Sequence, residues 1–524
     1  MEERDHIFVI NSIVNDVTNG DAGDCDIQAI DIKKCFDEMN YEETHNDLWD
    51  VCPKDDKFTL IAKLDEEVNV SVKTPVGPTE TFTLERLVLQ GTVFASLKCS
   101  IQLETLSNDC MTTDNGFSLY KYKGTVLIPP LQMVDDVLSI SKCGLQAVVM
   151  NSLINSKIEG KKLRLSHEKC SFIHISKKKT HCSTALKVHT DDMQQTESMI
   201  YLGDTVTERA TIDATIKSRE LKAVGIISQI TSILKNVTLE IFYFQTALIL
   251  RDSMLLNGIL TNSECWNFIS QKNFKILEDS DARLFSFLFG GSFSTNRVLY
   301  YLETARIPIR YTISKCRLMY LWHILSRDTD ELIAKVYQVQ RLKPVKYDWH
   351  NMIIEEKEKY GIKLSDEQIR CLSKNKFKQI VNNAVNKFAL TKLLVTARNQ
   401  SKCKTILRNI NENDFKIQRY LICDRLVKEE QQRLFTLRSS SFGVKINFKH
   451  IFKDDMSCRA CRDTSMIESE IHFCQTCVSF VNKREDETLD FEDISGPLEV
   501  QIKFIKKFKL IARKWKLLLE LETI

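Results

Sequence analysis

The run Leu131–Ile140, LQMVDDVLSI, places two adjacent carboxylates, Asp135 and Asp136, inside an otherwise apolar stretch. Apolar neighbours on both sides call for burial, whereas two adjoining anions repel each other and lose hydration when buried. A strand hairpin with the acidic pair at its tip meets both demands. Such a tip is either a plain tight turn or a place where a cation neutralises the pair, and the oxygen donors suit Mg²⁺. Further Asp-Asp pairs stand at 55–56, 191–192 and 454–455, so the dipeptide alone carries little information. A second acidic site sharpens the reading. Asp26–Ile32 (DIQAIDI) alternates apolar and polar residues as a strand does, Asp31 lies at its end, and Phe36-Asp37 follow directly. A strand-end Asp and an Asp-Asp hairpin on neighbouring strands can converge on two metal ions. Such a pair activates an attacking oxygen and stabilises the leaving oxygen of an in-line phosphoryl displacement.

Composition narrows the class. In 524 residues, 43% are apolar and 27% charged, with 16 Gly and 8 Pro. These proportions exclude disorder and collagen-like architecture and lean towards helix. The net charge of +3 excludes a uniformly basic coat, so a polyanion would be held by local basic clusters. The 17 cysteines are odd in number and scattered, which points to a reducing intracellular setting rather than a disulfide framework. The N-terminal MEERDHIFVINSIVND is no secretory signal, and the apolar stretch Leu239–Leu260 carries Glu240, Arg251 and Asp252, too polar to span a bilayer. No membrane partner is expected.

Residues 1–205 read as mixed α and β. Val68, Val70 and Val72 alternate before the turn signal Thr74-Pro75-Val76-Gly77-Pro78, and Phe82–Leu84 can return as a hairpin partner. Gly91–Leu106 and Leu145–Ile158 have helical spacing, and Leu163–Leu165 and Phe172–Ile175 read as short strands. This order suits a ferredoxin-like α+β sheet with its helices on one face. From Asp213 to about His450 the apolar residues recur at three and four, as in Ile226, Ile227, Ile230, Ile233 and Leu234. A Cys/His cluster, a largely acidic loop Arg484–Asp493 and a basic amphipathic helix close the chain.

Taken together, Asp31-x4-Phe36-Asp37, Leu89-Gln90-Gly91 with Ser96, Met133-Val134-Asp135-Asp136, Lys169 and Tyr201-Leu202-Gly203 occur in an order that resembles the palm of non-LTR (LINE-type) retrotransposon reverse transcriptases. The resemblance covers residues 4–340 and, more loosely, the remainder. It implies a ferredoxin-like polymerase palm over 1–205, a helical thumb over 206–345, a helical region over 346–450, a zinc-knuckle-like module over 451–482, and an acidic loop with a basic helix over 483–524. It further implies that Asp31, Asp135 and Asp136 hold two Mg²⁺ ions, with the Ile32 carbonyl as a further ligand. Phe36 would sit under the sugar and reject a 2′-hydroxyl. Gln90 and Gly91 would line the nucleotide pocket, and Tyr201-Leu202-Gly203 would grip the primer. Lys169 would donate a proton to pyrophosphate or be an exposed turn lysine. Two features depart from the family pattern. Met133 and Val134 stand where the family has an aromatic residue and Ala. The opening Arg4–Phe8 resembles the segment just upstream of the first catalytic strand, so the fingers strands are expected before Met1 and the chain reads as N-terminally truncated.

Cys458-x2-Cys461-x10-His472-x4-Cys477 has the ligand types and paired spacing of a structural Zn²⁺ site, with Cys474 as a competing ligand. Arg459 and Arg462 could meet phosphates. Residues 501–516 interleave Lys503, Lys506, Lys507, Lys509, Arg513, Lys514 and Lys516 with Phe504, Phe508 and Trp515, a cationic helix with aromatics for base stacking, for a membrane surface or for a packed face. Lys177-Lys178-Lys179 reads as a duplex contact or a solvated loop. Two functions follow. One is an RNA-directed DNA polymerase taking an RNA template, a DNA primer and dNTPs. The other is a truncated retroelement fragment that binds nucleic acid without turnover.

Overall fold

The computed structural model describes residues 1–51, 58–60, 63, 69–83, 94–112, 120–142, 144–178, 185–236, 242–291, 296–410, 415–453, 455–481 and 489–522. Its centre is a five-stranded sheet made of β1 (Cys25–Asp31), β2 (Leu131–Met133), β3 (Asp136–Lys142), β4 (Ser171–Ile175) and β5 (Gln194–Gln195), in the order β5-β4-β1-β3-β2. All pairs are antiparallel except β4 with β5. Around it the chain is mostly helical, so the fold is α+β. The turn at Pro75-Val76 does form a small hairpin, Lys73–Thr74 with Gly77–Pro78, inside a second pairing of Asn69–Val70 with Phe82–Thr83.

The sheet is covered on both faces, against the expectation of helices on one. On one side, Ile30, Val137 and Phe172 pack against the helices α2 (Ala95–Thr112) and α3 (Leu145–Gly160), through Cys99, Leu103, Ala147, Met150, Ile154 and Ile158. On the other, Ile27, Leu138, Ile140 and Ile173 pack against α1 (Glu3–Asn19) and helices drawn from 309–389. One face of β1, β3 and β4 is apolar through Cys25, Ile27, Leu138, Ile140, Ile173 and Ile175, and the other mixes Ile30, Val137 and Phe172 with Gln28, Ser139 and Ser141, which are buried as well. No element was assigned to α1 from sequence. Its Ile7–Ile10 are all buried, so it is a core helix between the sheet and Phe8's aromatic neighbours Tyr320 and Trp349.

A second core joins α4 (Asp213–Asn236) and the helices that follow it to the C-terminal α5 (Leu498–Glu522). Packing therefore crosses the divisions drawn at 205 and 345. The helices Ile309–Leu325 and Lys374–Arg398 share residues with both cores. The Cys/His segment is part of this core as well, since Phe473 packs against Trp515 with ring centroids 4.7 Å apart. The stacking role drawn for Phe504, Phe508 and Trp515 is overturned. All three are buried, because they fall on the apolar stripe of α5, while Lys503, Lys506, Arg513 and Lys514 line the opposite, exposed face. Of the described helices none is long and apolar enough to cross a membrane.

Two buried polar contacts fasten α1. The Asp348 carboxylate accepts hydrogen bonds from Asn15 (3.0 Å), Lys123 (2.7 Å) and the Val345 N–H (2.7 Å). His6 Nδ1 is hydrogen-bonded to the Tyr201 hydroxyl at 2.9 Å. Burial lowers the His6 pKa from 6.5 to about 4, with the chain's amino terminus adding to the shift and Asp5 opposing it. Above pH 6.5 the imidazole is neutral in folded and unfolded chains alike. As pH falls from 6.5 to 4 the unfolded chain takes up a proton that the folded one refuses, so stability is lost over that window, by roughly 3 kcal/mol in total. Urea unfolding between pH 4 and 7 is expected to show this acid limb in the native chain and a flatter one in His6→Gln. Equal slopes in the two would remove His6 as the cause.

Candidate active site

Register brings the first two carboxylates together. Asp31 is paired with Asp136 across β1 and β3, and directly opposed residues of an antiparallel pair project to the same face. Met133 pairs with Asp136, so Val134 and Asp135 form a two-residue loop between β2 and β3. Val134 has φ of +58°. Positive φ at the first loop position fits a right-twisted hairpin, but it is costly for a β-branched residue. The Val134 side chain packs on the same apolar cluster as Phe36, and this contact helps hold the loop in its strained form.

The acidic groups influence one another. Partial burial, then Asp135, then Asp31 raise the Asp136 pKa above the usual carboxylate range, and Lys169 opposes them. The Lys169 ammonium lies 3.3 Å from Asp31 Oδ1. The other oxygen, Oδ2, is buried and accepts no hydrogen bond among the described residues, a state that suits a cation ligand. The Asp31 backbone is clamped from both sides. Its N–H donates to Cys170 Sγ at 3.4 Å, and its carbonyl accepts from the Ser166 N–H at 2.9 Å. Ile32 bridges to Leu165. Cys170 and Ser166 carry no signal in sequence; only the fold brings them beside Asp31.

Phe36 is half-buried in the short helix Cys35–Glu38, entered through Lys34 at φ +48°. Gln90 and Gly91 lie outside the described residues. Tyr201 ends β6 (Ser198–Tyr201), and Leu202-Gly203 form the turn into β7 (Asp204–Thr207) with φ of +45° and +81°, the double positive φ of a type I′ hairpin. The buried Tyr201 hydroxyl lies 3.4 Å from the Leu131 carbonyl of β2, and burial followed by the Asp136 charge raises its pKa. The Leu202 carbonyl accepts from Asn262 at 3.0 Å. Asp204 accepts from Arg219 of α4 at 2.7 Å and from the Trp266 indole at 3.0 Å. One sheet end therefore carries Asp31, Asp135, Asp136, Lys169 and, beneath them, Tyr201.

A compact cluster of ligand atoms lies elsewhere. Cys458, Cys461, His472 and Cys477 each offer one ligand atom, and these four atoms lie within 4.8 Å of one another. Cys474 is buried but is not in this group. His472 Nδ1 is bonded to the Thr476 hydroxyl at 2.7 Å, leaving Nε2, which is 3.4 Å from Cys461 Sγ, for a metal. A Cys₃His set of this kind can hold an ion such as zinc. Arg459 is not available for phosphate. It is paired with Glu468 at 2.6 Å and lies over the Trp515 ring, whereas Arg462 is exposed.

No family model matches the chain, and no curated protein does. Among solved structures it is similar to telomerases. Apo telomerase from Candida tropicalis is 14% identical over 72% of this chain and 56% of that one, with a TM-score of 0.33. The form truncated from its C-terminal domain is 18% identical over 40% and 38%, with a TM-score of 0.28. Telomerase from Candida albicans in complex with a TWJ fragment of telomeric RNA is 13% identical over 71% and 52%, with a TM-score of 0.33. The chain thus spans between 38% and 56% of the length of these neighbours.

Proposed function

We propose that the chain is the palm and thumb of an RNA-directed DNA polymerase of the non-LTR retrotransposon type. The observation that supports this most is the cross-strand pairing of Asp31 with Asp136 beside a strained Val134-Asp135 loop. In this reading Asp31, Asp135 and Asp136, with the Ile32 carbonyl, hold two Mg²⁺ ions. The ions supply charge neutralisation for attack of a primer 3′-hydroxyl on a nucleotide α-phosphate. Phe36 excludes a 2′-hydroxyl. Lys169, exposed and 3.3 Å from Asp31, neutralises that carboxylate in this reading and donates a proton to pyrophosphate. Tyr201-Leu202-Gly203 set the primer end, and Gln90 and Gly91 complete the nucleotide pocket.

A second reading, nucleic-acid binding without turnover, is favoured by one observation. A lysine, Lys169, already occupies one oxygen of Asp31 at 3.3 Å. Primer extension on an RNA template with dNTPs and Mg²⁺, run beside a gel shift, separates the two. The polymerase reading expects extension, and a loss on the order of 10³-fold in Asp136→Asn without loss of RNA binding. A salt-sensitive gel shift with no extension by the native chain would leave only the second reading.

The Cys₃His group is proposed as a structural zinc site. Purified protein is expected to carry about one zinc per chain, lost in Cys461→Ser and kept in Cys474→Ser. Because Phe473 and Trp515 join this segment to the second core, the zinc-free variant should also melt at a lower temperature. Equal metal content in all three proteins would exclude the assignment.

A further inference from the structure

At the end of β1 remote from Asp31, about 17 Å along the strand, lies an open cavity of roughly 950 Å³. That volume falls within the range of small-ligand sites, yet nothing in the polymerase reading uses it. We infer that this cavity is a second nucleic-acid site, which takes one unit of a single strand by stacking its base on Phe268 and Tyr347 and holding its phosphodiester at Lys177 and Arg209.

The aromatic pair is the first support. Phe268 and Tyr347 come from segments far apart in the chain, and their rings meet at 5.1 Å with a tilt of 36°. They remain 51% and 36% exposed, so the contact does not serve the core. Tyr347 has φ of +64°, a strained conformation for a tyrosine, and it precedes the buried Asp348 and Trp349. The backbone there turns one ring outward while its neighbours turn in. Lys346 lies over the outward ring, 4.8 Å from its centroid. Exposed rings with cations beside them are what sequence-tolerant single-strand binding uses.

The polar wall is the second support. His174 faces Asp26 in the β1–β4 register and donates its Nδ1–H to that carboxylate at 2.8 Å. Its Nε2 lies 3.9 Å from Asp24 Oδ2 and, like Thr196 Oγ1, is buried with no hydrogen-bond partner among the described residues. Both residues line the cavity. Lys177, the first of the three consecutive lysines, donates to the Gly20 carbonyl at 2.9 Å, which fixes its ammonium at the rim. The Arg209 guanidinium, 61% exposed, lies 3.4 Å from the carboxylate of its neighbour Glu208.

The charge of the wall selects the ligand. Glu197 and Glu208 also line the cavity, so two cations face two carboxylates. The wall therefore has no surplus of positive charge for the three or more charges of a triphosphate, whereas a strand brings one charge per unit, which Lys177 or Arg209 can meet singly, and the polar groups suit base edges. The occupant is therefore a strand rather than a free nucleoside triphosphate. This inference does not depend on the polymerase reading.

Fluorescence anisotropy of a labelled oligoribonucleotide of about eight residues with the full chain tests it. The double variant Phe268→Ala/Tyr347→Ala is expected to bind about tenfold or more weakly, and Lys177→Ala to lower both the affinity and its salt dependence. Both rings are exposed, so thermal melting should be unchanged, and ultraviolet crosslinking of the native complex should place adducts at Phe268 or Tyr347. Native-like affinity in the double variant, or adducts confined to the α5 lysines, would overturn the proposal. So would adenosine monophosphate or ATP competing as well as the unlabelled oligomer, which would make the cavity a mononucleotide pocket.

Discussion

The antiparallel pairing of β1 with β3, running unbroken from Cys25↔Lys142 to Asp31↔Asp136, is the constraint on which the molecule turns. Opposed carboxylates at its end cost roughly 0.2–1 kcal/mol. The same two strands bury Ile27, Ile30, Val137, Leu138 and Ile140, each contributing about 1.5–3 kcal/mol. Core packing therefore outweighs the repulsion several times over, and the acidic cluster persists because the sheet leaves it no alternative position. A slip of one residue would turn every one of those side chains to the opposite face. With both faces covered by helices, register is specified twice. The site's geometry is thus imposed by residues that take no part in its chemistry.

The same end of the sheet is tied to the helices beyond it. Tyr201 reaches under β2 to the Leu131 carbonyl and meets His6 of α1, while Asp204, opposite it across the turn, is held by Arg219 and Trp266. A displacement of α4 would therefore be felt by the β6–β7 turn and, through Tyr201, by the hairpin that carries Asp135 and Asp136. These links are buried and hydrogen-bonded, the kind of contact that transmits position rather than absorbing it.

What could be read in the chain and what could not follows from the range of each signal. β1, the acidic hairpin and α3 are local patterns, and the structure places them within a residue or two of their expected limits. The Cys₃His spacing was also local, and distance separates Cys477 from Cys474 where spacing left both open. The covering of the second sheet face was not legible, because α1 buries polar residues (Asp5, His6, Ser12, Asn15 and Asp16) among its apolar ones and many of its partners lie about 300 residues away. Phe504, Phe508 and Trp515 looked like a binding surface for the same reason. An amphipathic stripe shows which residues share a face and is silent on what covers it. Arg459 reads in sequence as a cation open to phosphate, and only the fold brings Glu468 and Trp515 beside it.

Backbone strain follows the same geography. Among the described residues eleven other than glycine have positive φ; Lys34, Val134 and Leu202 are near the carboxylates in the fold, with Asn262 bonded to the Leu202 carbonyl. Each such position costs on the order of 1–3 kcal/mol and persists only where its surroundings over-determine it. At Val134 the surroundings are an apolar cluster shared with Phe36; at Leu202 they are the turn's own pairing and an asparagine from the helical region. Packing energy gained in the two cores is in this way converted into loop conformations that the local sequence disfavours. Those loops, rather than the strands, decide where Asp135, Phe36 and the β6–β7 turn stand relative to Asp31.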